Sequence, residues 1–321
     1  MNKQPGLQDI RSAHQRIHPY IHKTPVLTCT ALNQMVGAKL FFKCENFQKT
    51  GAFKFRGACN AIFSLSDQEA SQGVVTHSSG NHAAALALAA RKRGITARIV
   101  MPSNATRVKI AAVKSYEGVI TFCEPTLASR ETVAEQIIKE TVATLIHPSN
   151  DYRIIAGQGT SALELMEEIE NLDFLLAPVG GGGLLSGTAI TAKGLNPKIK
   201  VIGCEPKNAD DAYRSIKAGC IIPSENPNTI ADGLRTSLGD KTFPIIRDLV
   251  DEILLATEEE ITTAMRHILE RMKIVAEPSA AVPLAVLLSH KLNVADKNVG
   301  IIISGGNVDL SNFFGEMLKG N

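Results

Sequence analysis

Net charge is nearly absent from this sequence. Its 34 basic and 32 acidic residues leave a formal charge of +2, so neither a nucleic-acid stripe nor a polyanionic partner is expected. Long hydrophobic runs are missing too. The longest, Ala83 to Ala90, is too short to span a bilayer. Met1 to Asp9 are polar and predict no secretory signal. Cys29, Cys44, Cys59, Cys123, Cys204 and Cys220 form no C-x-x-C pair and match no zinc spacing. Reduced, mostly structural thiols in a cytoplasmic protein are expected, with no disulfide. Internal repeats, low-complexity segments and long Pro/Gly-rich linkers are also lacking. What remains is 44% hydrophobic and 21% charged over 321 residues, enough for a large core, read as two domains.

Strand and helix patterns alternate along most of the chain. Leu7 to Ile21 predicts a helix, and Leu40 to Cys44 a buried strand. Strands are expected at Gly73–His77, Ala97–Met101, Gly118–Cys123, Ala143–Ile146, Phe174–Val179, Lys200–Cys204, Ile253–Ala256 and Val299–Ile303. Helices are expected at Asn81–Arg93, Thr106–Tyr116, Ser129–Glu140, Gly159–Ile169, Leu184–Lys193, Glu258–Met272 and Ser279–Ser289. This alternation argues for an α/β fold with largely parallel sheets.

Lys54 lies in Lys49-Thr50-Gly51-Ala52-Phe53-Lys54-Phe55-Arg56-Gly57-Ala58, between a strand and a helix read from Gly57 to Phe63. A helix N-terminus flanked by phenylalanines disfavours an ammonium ion. A neutral lysine there is a nucleophile towards carbonyls, as a Schiff base requires. Taken alone, Lys54 could equally be a lysine that snorkels to water.

Four unusual loops follow predicted strands: 78–82, Gly180-Gly181-Gly182-Gly183, 205–211 and Ser304-Gly305-Gly306-Asn307. Parallel sheets bind ligands at the carboxyl ends of their strands, so the four loops point to one composite site. The tetraglycine has no Gly-Lys-Ser/Thr ending and no dinucleotide glycine spacing. It suits a phosphate held by backbone N–H groups at a helix N-terminus. The loop 78–82 could simply be an N-cap for the helix that starts at Asn81, with the Ser79 hydroxyl as the cap. Glu205 and Asp211, with the Ala209 carbonyl between them, offer oxygen ligands for Mg²⁺ or Ca²⁺ (or Mn²⁺), although acidic loops are common.

Taken together, these motifs resemble the fold-type II, tryptophan-synthase-β-like enzymes of pyridoxal phosphate. The nearest group is the serine racemases and serine/threonine dehydratases. The resemblance runs over nearly the whole chain. It implies two open, twisted, mostly parallel sheet domains: a large one from 1–73 and 149–321, and a small inserted one from 74–148. It implies that Lys54 carries pyridoxal 5'-phosphate, with Phe53, Gly180, Gly181, Gly182, Gly183, Leu184, Gly233, Glu277 and Ser304 around it. Ser304 matches the partner of the ring nitrogen, where many other enzymes of this cofactor place a carboxylate. Ser78, Ser79, Asn81, His82 and Arg130 match substrate-binding positions, with Asn81 also reaching the cofactor's phenolic oxygen. Ser79 matches the second catalytic base of serine racemases. Glu205, Ala209 and Asp211 match their metal site, and Lys49, Thr50, Tyr116 and Asn307 the positions that bind an ATP effector in some members. Ser149 departs from the pattern, since several relatives carry asparagine there.

The function implied is serine racemisation together with dehydration of L-serine and L-threonine by a homodimer. An ammonia-lyase for threonine, serine or 3-hydroxyaspartate with little racemase activity is the alternative. A β-replacement enzyme such as cysteine synthase shares the fold but differs in the substrate loop. The rival from another class is a non-catalytic nucleotide-binding module, which would give Lys54 no role. The chain ends soon after the Ser304 loop, so a regulatory domain and isoleucine feedback are not expected.

Overall fold

The computed structural model describes residues 3–78 and 80–309. In chain order it runs α1 (Leu7–Ile17), β1 (Val26–Leu27), α2 (Thr30–Val36), β2 (Lys39–Cys44), α3 (Lys54–Phe63), α4 (Asp67–Ser71), β3 (Val74–His77), α5 (Asn81–Arg93), β4 (Ala97–Pro102) and α6 (Arg107–Ser115). Next come β5 (Val119–Cys123), α7 (Leu127–Thr141), β6 (Thr144–Leu145), α8 (Tyr152–Glu168), β7 (Phe174–Pro178), α9 (Gly183–Leu195), β8 (Lys200–Pro206) and α10 (Asp211–Ala218). The last elements are α11 (Thr242–Leu249), β9 (Glu252–Ala256), α12 (Glu258–His267), α13 (Pro278–Leu288) and β10 (Asn298–Ile303).

Two sheets result. The six-stranded sheet has the order β1-β2-β10-β7-β8-β9 and is parallel except for β1. The four-stranded sheet, β5-β4-β3-β6, is wholly parallel. Period-2 alternation buries both faces of the larger sheet. Leu176, Ile202, Ile301 and Ile303 pack with α12 and α13. Leu175, Val201 and Ile302 pack with α8, α9 and α11. The smaller sheet is covered in the same way, Ile99 and Met101 packing with α5 and α3, and Val75 and Val100 with α7. Parallel register puts the ends of β2, β10, β7 and β8 on one edge, which is where three of the four special loops leave the larger sheet.

Several elements depart from the sequence expectations. The first helix stops at Ile17, with His18 still helical as its C-cap, because Pro19 has no N–H to continue the intrahelical bonds. Helix α8 begins at Tyr152, not Gly159. Gly157 and Gly159 look like breakers, yet they are close contacts: a Cβ on Gly157 would sit 2.6 Å from the Cα of Gly57, and one on Gly159 2.8 Å from the Gly187 carbonyl. Helix α3 starts at Lys54 itself. The helices α2, α4, α10 and α11 were not expected at all. Pro244 lies in the first turn of α11, where no intrahelical N–H bond is needed.

Candidate functional site

The lysine loop and the last strand are stitched together. Phe53 N–H donates to the Ser304 carbonyl at 2.9 Å, Gly306 N–H to the Gly51 carbonyl at 2.9 Å, and Ala52 bridges Gly305. This pins the start of α3 to the edge of the sheet. Lys54 is half-buried, and its Nζ donates to the Pro148 carbonyl at 2.8 Å. Desolvation pulls its ammonium down to about 8, against an opposing pull from the Glu277 carboxylate. That moves the amine towards the neutral, nucleophilic form that a Schiff base requires.

The tetraglycine turns from β7 into α9, with Gly182 at φ +81°. No side chain fits at Gly180, Gly181 or Gly182. A Cβ would lie 2.9 Å from the Leu234 Cα, 2.3 Å from Ser149 Oγ and 2.8 Å from both Thr242 and Ile246 respectively. At Gly183 it would meet the Ser149 Cα at 3.1 Å. The loop is therefore a bare backbone cradle at a helix N-terminus, with Leu184 buried beneath it. It fits a phosphate group, and Lys54 fits an aldehyde. Gly233 packs against this cradle, and its N–H donates to Ser279 Oγ at 3.1 Å. Ser304 is buried at the end of β10.

Helix α5 starts at Asn81 as expected, with Gly80 at its N-cap and no side-chain cap bond. The Asn81 amide is engaged at both ends: Nδ2 donates to both Glu277 carboxylate oxygens at 3.0 Å, and Oδ1 accepts from Asn307 Nδ2 at 3.0 Å. Burial pushes the Glu277 carboxyl up to about 7. Asn307 also donates to the Thr50 carbonyl at 2.7 Å. His82 is buried, its Nε2 3.3 Å from the Ile146 carbonyl, and burial holds its pKa well down. Ser78 Oγ accepts from Gly80 N–H at 3.4 Å. Arg130 is half-buried on α7, and its Nε donates to the Thr126 carbonyl at 3.4 Å. Ser79 lies outside the described residues.

A cavity of about 1040 Å³ opens beside this network, lined by Thr50, Asn81, Lys109, Tyr116, Asp232 and Asn307 among others. Lys49 is not part of its wall; its Nζ donates to the Tyr20 carbonyl. Lys109 on α6 pairs with Asp232 at 2.7 Å across the cavity.

Glu205 ends β8 fully buried and accepts the N–H groups of Ala212 and Tyr213, both at 2.9 Å. Burial raises its carboxyl to about 9 and that of Asp211 to about 6. Among the described residues, both Asp211 carboxylate oxygens are buried with no partner at hydrogen-bond geometry. Two such carboxylates beside the Ala209 carbonyl fit a divalent cation, with water completing the shell. Among the described residues, no group of three or more His, Cys, Asp or Glu side chains forms a metal centre.

Sequence reasoning missed two features. One is a buried ionic cluster beneath the lysine helix. Arg56 bonds Glu45 at 2.7 and 2.8 Å and Glu164 at 2.8 Å through both carboxylate oxygens, and Lys43 bonds Glu164 at 2.6 Å. The other is the crossover from β6 to α8, which supplies the Pro148 carbonyl and places Ser149 under the tetraglycine. Arg56, two residues from Lys54, was a readable signal for the first. A backbone carbonyl leaves no signal in a sequence.

Comparison with known proteins agrees with this geometry. The family of pyridoxal-phosphate dependent enzymes matches residues 17–305. The chain is 55% identical over 310 residues to a serine racemase of Dictyostelium discoideum, covering 95% of each. It is 51% identical over 306 residues to a beta-hydroxyaspartate dehydratase of Paracoccus denitrificans, covering 95% of this chain and 97% of the relative. The solved structure of maize serine racemase superposes with a TM-score of 0.95 at 50% identity, over 99% of this chain and 98% of that one. A glycine cradle, a desolvated lysine on the same sheet edge and this similarity over nearly the full length lead to one conclusion: the chain belongs to the pyridoxal-phosphate dependent enzymes, with their fold-type II architecture.

Proposed function

We propose that this chain interconverts L- and D-serine and also eliminates water from L-serine and L-threonine, giving pyruvate or 2-oxobutanoate and ammonia. The observation that carries the reading is the Lys54 amine, lowered to about 8, on the strand edge that also holds the tetraglycine cradle. Pyridoxal phosphate, held by Lys54 and the N–H groups of 180–184, supplies the electron sink that makes the substrate Cα–H acidic. The chain's own residues do the rest. The Lys54 amine takes the Cα proton on one face. Ser79 Oγ returns a proton on the other face for racemisation. Ser78, Asn81, His82 and Arg130 hold the substrate, and Ser304 is the hydroxyl partner of the cofactor's ring nitrogen. A hydroxyl leaves that nitrogen largely neutral, which weakens the sink and lets departure of the β-hydroxyl compete with reprotonation.

The Paracoccus relative favours a second reading, an ammonia-lyase for serine, threonine or 3-hydroxyaspartate with little racemase activity. Ser149 at the cradle bears on that choice. The reading also takes 74–148 as a small domain inserted into a large one, with the cleft between them as the site. Mg²⁺ at Glu205, Ala209 and Asp211 is supported by the unpartnered Asp211 oxygens and the desolvated Glu205 carboxyl. The cavity beside Thr50, Tyr116 and Asn307 supports a nucleotide effector such as ATP, without Lys49 in its wall. Six unpaired cysteines fit a reducing cytoplasm, and among the described residues no helix is long and apolar enough to cross a membrane. A homodimer belongs to the same reading. Offering L-serine, L-threonine and 3-hydroxyaspartate separately, and measuring D-serine, 2-oxo acid and ammonia, decides between the two. D-serine and pyruvate together support the first; 2-oxo acid without D-serine supports the second.

A further inference from the structure

His147 sits where three parts of the site meet. It follows β6 on the crossover into α8, and its Nδ1 accepts two backbone N–H groups, from Asn150 at 2.8 Å and Ser149 at 3.2 Å. An acceptor at Nδ1 places the ring proton on Nε2. Burial, with His77 and Lys54 nearby, pulls the imidazole pKa down to about 4, so the ring is neutral in the working range. The two bonds close a tight turn over 147–150, as an asparagine side chain does in an Asx-turn. Two parts of that turn face the site. The Pro148 carbonyl receives Lys54 Nζ at 2.8 Å. Ser149 fills the space under Gly181 and Gly183. Asn150 is locked outside by Asp240 at 2.6 Å and by the Lys241 N–H at 2.9 Å. The His147 ring also stands edge-on to His77, centroids 5.4 Å apart, and His77 leads directly into the substrate loop.

We infer that His147 is a positioning residue for Lys54: by accepting the Ser149 and Asn150 N–H groups, it aims the Pro148 carbonyl at the lysine amine and sets where that amine rests. Lys54 must reach the cofactor and then the substrate Cα from a defined place. Displacement of about 1 Å at a reacting group can cost on the order of a hundredfold in rate. The inference rests on the reading of Lys54 as the cofactor lysine.

Two substitutions separate the acceptor from the ring. His147→Phe keeps a ring against His77 and loses Nδ1. His147→Asn loses the ring and keeps an oxygen that can take the same two N–H groups. The readouts are the rate at which full-length apoprotein captures pyridoxal phosphate, followed by its visible absorption, and kcat and KM for L-serine in the reconstituted enzyme. We expect His147→Phe to be slowed at least about tenfold in both capture and kcat, with KM little changed, and His147→Asn to stay within about threefold of the parent. A Phe variant as fast as the parent, or an Asn variant as slow as the Phe variant, overturns the inference. If the Phe variant does not fold, the folded Asn variant decides alone: retention supports the inference and tenfold loss overturns it. Lys54→Ala is the control. If that variant captures cofactor as the parent does, the reading of Lys54 itself fails.

Discussion

Gly181→Ala tests the cradle by sterics alone. The added Cβ would sit 2.3 Å from Ser149 Oγ and 2.9 Å from Ser149 Cβ. Rotation of Ser149 can move Oγ aside but leaves Cβ in place, so the glycine loop must retreat or Ser149 must be displaced. Retreat would draw backbone N–H groups away from the phosphate. Each hydrogen bond to a charged group is worth about 1.5–3 kcal/mol, so losing one should weaken cofactor binding by roughly 10- to 100-fold. The same contacts define the rescue. With Ser149→Gly the Oγ and Cβ are gone, and the next neighbour of the new Cβ is Thr236 Oγ1 at 3.4 Å, ordinary packing distance. Cofactor dissociation constants for the parent, both single variants and the double variant form a complete cycle. The double variant should regain most of the lost affinity. Unchanged binding in Gly181→Ala, or no recovery in the double variant, refutes the assignment of this loop as the phosphate cradle.

Three other outcomes follow from the structure. Arg56→Leu leaves Glu45 and Glu164 buried with too little positive charge; it should cost about 3–5 kcal/mol in chemical denaturation, whereas a neutral result would mean the cluster tolerates the loss. Removing divalent cations with a chelator should lower the melting temperature, because a cation at a hundredfold excess over its Kd stabilises the folded state by about 2.7 kcal/mol, and Glu205→Ala with Asp211→Ala should abolish that response. Ser79→Ala should end L- to D-serine conversion while elimination from L-serine survives; an unchanged ratio of D-serine to pyruvate would reject Ser79 as the second base.

The legible parts of the site were those written as residue type at a strand end. Lys54, the tetraglycine, Ser304 and the Glu205–Asp211 pair each follow a strand, and parallel register gathers strand ends on one edge. Pairings distant in sequence were not legible. Lys43 meets Glu164 across 121 positions, and nothing local to either residue announces the other. Glycines misled in one direction: Gly157 and Gly159 read as breaks but are the points where α8 presses on α3 and α9. The Asn81 side chain is held by Glu277 and Asn307, 196 and 226 positions away, and nothing local to it announces either partner. The Pro148 carbonyl carries no sequence signal, because any residue offers a backbone oxygen.

The claim that all of this serves is that Lys54 bears the cofactor. Borohydride reduction of the purified holoenzyme, followed by peptide mass mapping, tests it most directly. The account predicts a pyridoxyl-phosphate adduct on the peptide containing Lys54 and on no other lysine. An adduct elsewhere, or none in protein that still converts L-serine, would contradict it.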